Sequence, residues 1–149
     1  MAVTLKVKIQ EDIILGNQDY GSKKTFEIGS IDQIYRRIVT IPADTTTTII
    51  DFDAAVSSAS GALDVDDVRY LRITNLDSSN NINVGLIGVS DSAQFVVPAG
   101  QSLVFGNTAS FMLGETDTSP AFTSFESLSH IRVDTDSNTV NVELYVASV

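Results

Sequence analysis

From Val3 to Gln10 the chain alternates: Val3, Leu5, Val7 and Ile9 fall on one side, Thr4, Lys6, Lys8 and Gln10 on the other. Side chains of a β-strand point to opposite faces in turn, so this segment reads as a half-buried strand. Ile13 to Leu15 gives a short strand before the turn-rich stretch Gly16 to Gly21, and Lys23 to Ile28 gives another. Ile34 to Pro42 is stronger, with β-branched Ile38, Val39, Thr40 and Ile41; Pro42 lacks a donor and ends it or sits at an edge. Thr45 to Thr48 runs into Ile49, Ile50, Asp51 and Phe52, and threonine's stiff χ1 suits a pleated surface, so this too is strand.

Residues 53–67 break the pattern. Ala54 to Ser60 reads either as a short helical turn or as a long loop. Beyond Val68 three hairpins are expected. Val68–Asn75 would pair with Ile82–Ile87 across the polar tract 76–81, and Ala93–Val97 with Ser102–Phe105 across 98–101. Ser127–Asp134 would pair with Thr139–Ala147 across 135–138. Between Gly106 and Phe125 lies a Ser-, Thr- and Gly-rich connection, with Phe111, Met112, Phe122 and Phe125 as expected core plugs. Nine to eleven strands with short turns predict an all-β, antiparallel sandwich or barrel. No fixed repeat argues for a propeller or solenoid. Residues 1–149 read as one domain without a linker.

Composition fits that picture. For 149 residues, size scaling gives roughly 7,400 Å² of folded surface against roughly 23,000 Å² unfolded, enough burial for one core. There is no cysteine, so neither disulfides nor thiolate chemistry is available to this chain. The N-terminal segment alternates instead of forming a continuous apolar run, so it does not read as a secretory signal, and no stretch reads as a transmembrane helix.

Net charge is −10 and unevenly spread. Residues 1–37 carry six basic and five acidic groups; residues 38–149 carry three basic groups against fourteen acidic ones. Phosphate backbones need clustered cations, so no nucleic-acid partner is expected. The acidity reads as solubility, or as an acidic body that docks on a basic partner while the N-terminal segment makes different contacts.

Candidate chemistry is sparse. The single histidine, His130, sits in the strand pattern Ser129-His130-Ile131-Arg132-Val133. A Ser–His–Asp triad is compositionally open, but Gly88-Val89-Ser90 lacks the second glycine of a nucleophile elbow, and His130 reads as structural. Asp64, Asp66 and Asp67 form an acidic loop, read either as a solvated turn or as a Ca²⁺ site. Asp134 to Asn138 imitates the start of an EF-hand loop, yet Thr139 stands at the glycine position and Tyr145 at the final glutamate position, so it reads as a hairpin turn. With no tryptophan and 7% aromatics, a sugar-stacking platform is thin, and no phosphate-binding glycine loop occurs. No catalytic, cofactor-binding or metal-binding residue is assigned, and no enzyme activity is expected.

One resemblance adds to this. Tyr70-Leu-Arg-Ile-Thr-Asn-Leu-Asp77, Asn81-Ile-Asn-Val-Gly-Leu-Ile87 and Phe95-Val-Val-Pro-Ala-Gly-Gln-Ser-Leu-Val-Phe105, with the closing strand Asn141 to Ala147, resemble small virion proteins of tailed bacteriophages. The resemblance covers roughly residues 68–147. It implies a jelly-roll-like or sandwich domain located on the virion, present in many copies. The implied role is capsid decoration (cement), with the major capsid protein or other virion proteins, and further copies of the chain, as partners. Tail, baseplate or fibre association is the alternative within that class, and a host-glycan-binding β-domain is the alternative outside it. No membrane partner is implied. Residues 1–33, less acidic and interrupted by Gly16, Gly21 and Gly29, read either as an arm or hairpin reaching a neighbour or as strands completing the sandwich.

Overall fold

The fold is described from a computed structural model, for residues 3–52, 62–106, 108–109 and 125–149. The alternating segments are strands. In chain order they are β1 (Val3–Glu11), β2 (Ile14–Leu15), β3 (Gln18–Asp19), β4 (Ser22–Ile31), β5 (Gln33–Ile41), β6 (Thr47–Phe52) and β7 (Ala62–Leu63). They continue with β8 (Val68–Asn75), β9 (Ile82–Ile87), β10 (Ser92–Val97), β11 (Ser102–Phe105), β12 (His130–Asp134) and β13 (Val140–Ser148). Thirteen strands among the described residues exceed the nine to eleven expected. The excess is β3 and β7, two residues each and too short for a period of two to register; β2 falls within the short strand expected at Ile13–Leu15.

Two sheets enclose the core, one in the order β11-β8-β13-β5 and the other in the order β10-β9-β12-β6-β7. Count β5, β6 and β8 through β13 as one to eight. They then stand in the orders 1-8-3-6 and 2-7-4-5, the interleaved Greek keys of a jelly roll. One departure from the antiparallel expectation is β7, which pairs with β6 in parallel through Asp51–Ala62 and Phe52–Leu63.

The three expected hairpins are not pairs. β8 bonds to β11 and β13 while β9 bonds to β10 and β12; β10 and β11 lie in different sheets, and so do β12 and β13. The reason is physical. Alternation tells which side chains face the core, and both sheets face the same core, so a strand's pattern is silent about which sheet owns it. The polar tracts 76–81, 98–101 and 135–139 are crossings between sheets. The first bonds beyond the strand ends continue the pairing within the sheet, Asn75 N–H to Gln101 O at 2.9 Å on the β11 side and Leu76 N–H to Asn141 O at 3.0 Å on the β13 side.

Val140, Val142, Leu144 and Val146 of β13 are at most 1% exposed and pack with Leu71 and Ile73 of β8 against Ile82, Val84, Ile131 and Val133 of the facing sheet. Burial of each such side chain contributes roughly 1.5–3 kcal/mol, which makes β13 the centre of the core. Phe125, expected as a core plug, is 49% exposed. Phe111, Met112, Phe122 and the segment 53–61 lie outside the described residues.

Residues 3–31 form a long antiparallel ribbon, β1 on β4, prolonged by the β2–β3 pair at its tip. The tip turns through Gly16 (φ +58°) and Asn17 (φ +65°), and positive φ at both central residues makes a type I′ turn. At the root, a register shift between Val3 and Leu5 and a left-handed Ser30 (φ +62°) bend the ribbon. The Asp32 N–H then donates to Ser148 O at 3.1 Å, joining the root to β13. The accessible surface is 9240 Å², roughly a quarter more than a compact chain of this length shows, and the ribbon contributes to that excess.

Candidate interaction surface

The outward face of the β11-β8-β13-β5 sheet is knit together by a polar cluster, with Ile34, Ile38 and Val104 exposed around it. Register places Arg72 of β8 and Arg36 of β5 on either side of Tyr145, with Glu143 two residues along β13. Arg36 donates from Nε at 2.9 Å and Nη2 at 2.6 Å to Glu143 Oε2, and Arg72 Nη2 donates to Oε1. Clasped by two guanidinium groups, Glu143 is 8% exposed although it faces outward. The Arg36 hydrogen bond holds its carboxyl below the usual value, against the opposing effect of burial and with help from both arginine charges. The Arg72 guanidinium also lies 5.6 Å from the Tyr145 ring, which meets Tyr70 edge-on at 6.0 Å. Burial pushes the Tyr70 phenol up, with Arg72 opposing.

The ribbon crosses this face. Leu5, Lys6, Val7 and Lys8 of β1 line a cleft of about 250 Å³ with Tyr70, Arg72 and Tyr145. Pairing sets the ribbon's two faces: Leu5–Ile28, Val7–Phe26 and Ile9–Lys24 on one, Lys6–Glu27, Lys8–Thr25 and Gln10–Lys23 on the other. Lys6 and Glu27 form a surface ion pair at 2.9 Å. Leu5, Val7 and Ile28 are half-buried, so the root half of the apolar face is partly covered. The outer half is open: Ile9, Ile13, Ile14, Leu15 and Tyr20 are between 49% and 76% exposed, and Phe26, opposite Val7, is 44% exposed. β1 is therefore not the simple half-buried strand its alternation predicts. Tip hydrogen bonds close on the tip itself, Tyr20 N–H to Ile13 O and Gly21 N–H to Asp19 Oδ1.

None of the sequence candidates converges on a reactive constellation. His130 lies on the outward face of the other sheet, with Nδ1 3.7 Å from Asp51 Oδ1, longer than a hydrogen bond. The neighbouring Ser129 hydroxyl donates to the carbonyls of Ile87 and Gly88. Gly88-Val89-Ser90 begins the β9–β10 turn, where Ser90 and Asp91 donate their N–H groups to the Glu126 carboxylate. Asp64 Oδ1 accepts from the Asp66 N–H, an Asx turn, while Arg69 Nη1 donates to the Asp66 carbonyl. Asp134 accepts from the Thr46 hydroxyl, and Asp136 O accepts from the Asp44 N–H, so the 134–138 segment bridges to the start of β6. Among the described residues no group of three or more His, Asp or Glu stands close enough to hold a metal ion. A groove of about 230 Å³ over Gly85, edged by Gln94, Arg132 and Asp134, contains no aromatic ring on which a sugar would stack.

Sequence reasoning missed the Arg36–Glu143–Arg72 clasp and the apolar tip. The clasp was visible only as polar residues at outward positions. The tip's Ile13-Ile14-Leu15 run was visible as apolar residues, but nothing in the pattern told that they stay uncovered.

Among the described residues no helix is long and apolar enough to cross a membrane. No family model matches the chain, and no curated protein matches it. Among solved structures it is similar to a protein of Bacillus endospore appendages, a family of disulfide-linked pili. Identity is 13%, over 76% of this chain and 84% of that one, with a TM-score of 0.42. So loose a likeness carries no argument about function.

Proposed function

We propose that this chain is a non-enzymatic structural protein of a tailed-phage particle, a capsid decoration protein that binds and stabilises the shell through protein–protein contacts. The observation that carries the reading is the ribbon: a preformed β-arm whose outer half presents five large apolar side chains to solvent. Such an uncovered surface marks an association site. Two further features support it. Residues 68–147 resemble phage virion proteins, and the jelly roll is the architecture that resemblance implies. The carboxylates of Asp64, Asp77, Glu126 and Asp134 are engaged in turns and crossings, as a scaffold uses them. Fold by itself does not define function.

The test is to quantify the chain in purified particles of the phage that encodes it, by mass spectrometry against the major capsid protein. Hundreds of copies, and shells that break at lower temperature when the gene is removed, are the expected result. A handful of copies would move the protein to the tail, and its absence from particles would defeat the reading.

A further inference from the structure

The ribbon tip and the edge of β5 are complementary in charge and in apolar exposure. Residues 11–20 carry three carboxylates, Glu11, Asp12 and Asp19, and no base, around exposed Ile13, Ile14 and Leu15. β5 carries no acid; its Arg36 is taken up by Glu143, Arg37 donates to the neutral Tyr35 hydroxyl and keeps its charge for a partner, and Ile34 and Ile38 are 52% and 62% exposed. Among the described residues β5 is also the last strand of its sheet, bonded to β13 on one side and to no strand on the other, which leaves an edge for pairing. An acidic, apolar strand pair and a basic, apolar strand edge are thus built into one chain.

They do not meet within that chain. The ribbon and β5 share a root at residues 31–33, and the ribbon extends about 3.3 Å per residue. Fully extended, Ile13 stands up to about 33 Å from Val3, at the far limit of the roughly 30 Å that the nine residues of β5 span. The exposure of Ile34 and Ile38 agrees: their own ribbon leaves them uncovered.

We infer that the tip, residues 11–20, docks on the β5 edge of a second copy of this chain. The proposal rests on the functional reading above, in that the ribbon is taken as an element of assembly, and it names the first partner of that element. Area supports it. Ile13, Ile14, Leu15 and Tyr20, each more than half exposed, offer on the order of 400 Å², so one tip-to-edge contact buries on the order of 800 Å² over both partners and two such contacts on the order of 1,600 Å², the size of a standard specific interface. Two chains exchanging tips make that contact twice, and the two-fold arrangement closes without leaving a free tip.

Light scattering on the purified chain across a concentration series gives the test, with two variants: a tip variant, Ile14→Asp with Leu15→Asp, and an edge variant, Arg37→Glu with Ile38→Thr. The wild type is expected to associate, and each variant to raise the apparent dissociation constant by about tenfold or more with an unchanged thermal melt. Mixing the two variants restores association, because the tip of one meets the intact edge of the other. A wild type that stays monomeric throughout, a tip variant that associates like the wild type, or a mixture that stays monomeric overturns the inference. A monomer that nevertheless decorates particles leaves the functional reading standing and sinks only this one; an exchanged oligomer found on no particle does the reverse.

Discussion

The side-chain amide of Asn75 donates to the carbonyl of Val97 at 3.1 Å, joining the last residue of β8 to the last residue of β10 across the two sheets. The same nitrogen donates to Asn80 O at 2.8 Å, Oδ1 accepts from the Asp77 N–H at 3.0 Å, and the side chain is wholly buried. One amide thus satisfies three backbone groups at two crossings where the chain changes sheet. Asn75→Asp keeps the size and the acceptor but removes both donated bonds and buries a charge. It is expected to lower stability by about 2–4 kcal/mol, read from urea unfolding. Asn141→Ala, on the exposed face of β13, loses one exposed bond, from the Thr40 hydroxyl at 2.8 Å, and is the milder comparison, expected to cost no more than about 1 kcal/mol.

Gly88 is needed for a different reason. A Cβ added there would stand 2.0 Å from Glu126 Oε1. That carboxylate accepts from Asp91 N–H at 2.8 Å and Ser90 N–H at 3.0 Å, and so closes the β9–β10 turn. Gly88→Ala must displace Glu126 and free both donors, with an expected loss of about 1–3 kcal/mol. Gly29→Ala meets nothing within 4 Å and is expected to be neutral or slightly stabilising in a strand. Melting both variants side by side checks the contrast.

Acid sensitivity follows from two depressed carboxyls. The Arg36 hydrogen bond leads in holding Glu143 below its ordinary 4.5, and the N–H groups of Ser79 and Asn80 hold Asp77 below 3.8. A carboxyl whose pKa falls on folding stabilises the fold fully above its unfolded value, and that contribution is lost as pH drops through the folded one. The stability these groups supply should therefore be level above pH about 5 and decline below about 4. Glu143→Gln is expected to be less stable at pH 7, by about 1–2 kcal/mol given the exposure of Arg36, and to show a shallower acid decline. Urea midpoints measured from pH 7 to 3 test both.

How much of this was legible in the sequence depends on what each residue's neighbours decide. Val140, Val142, Leu144 and Val146 announce a strand and its buried face, because alternation is local and burial follows it. Which strand lies beside β13 was not legible: the turn formers at 76–81 and 135–138 suit a hairpin and a sheet crossing equally, and only tertiary pairing chooses. Lys6 and Lys8 against Leu5 and Val7 gave the ribbon's two faces, but Ile9 has the same pattern as Val7 and a different environment. Glu143 looked like one more polar residue on an outward face; its clasp needs β5 and β8 on either side, more than sixty residues away in sequence.

The ribbon should also declare itself in hydrogen exchange, measured on dilute protein where association is suppressed. Backbone bonds open with free energies set by the packing around them, from near zero at frayed ends up to the global value in a core strand. β13 is bonded on both sides and its inward residues are at most 1% exposed, so its amides should exchange only through global unfolding. The Leu5–Lys8 stretch, with its partners Thr25–Ile28, is bonded on one side and rests against Tyr70 and Tyr145 through the cleft, so intermediate protection is expected. Beyond Ile9 the ribbon is two strands wide with both faces wet, and an isolated two-stranded pair is marginal in water. Its tip amides should exchange several orders of magnitude faster than those of β13. Raising the concentration should then slow exchange at residues 11–20 and 33–41 together, the two segments that a partner chain would bring into register. Slowing at the tip alone would assign its docking to a surface other than β5.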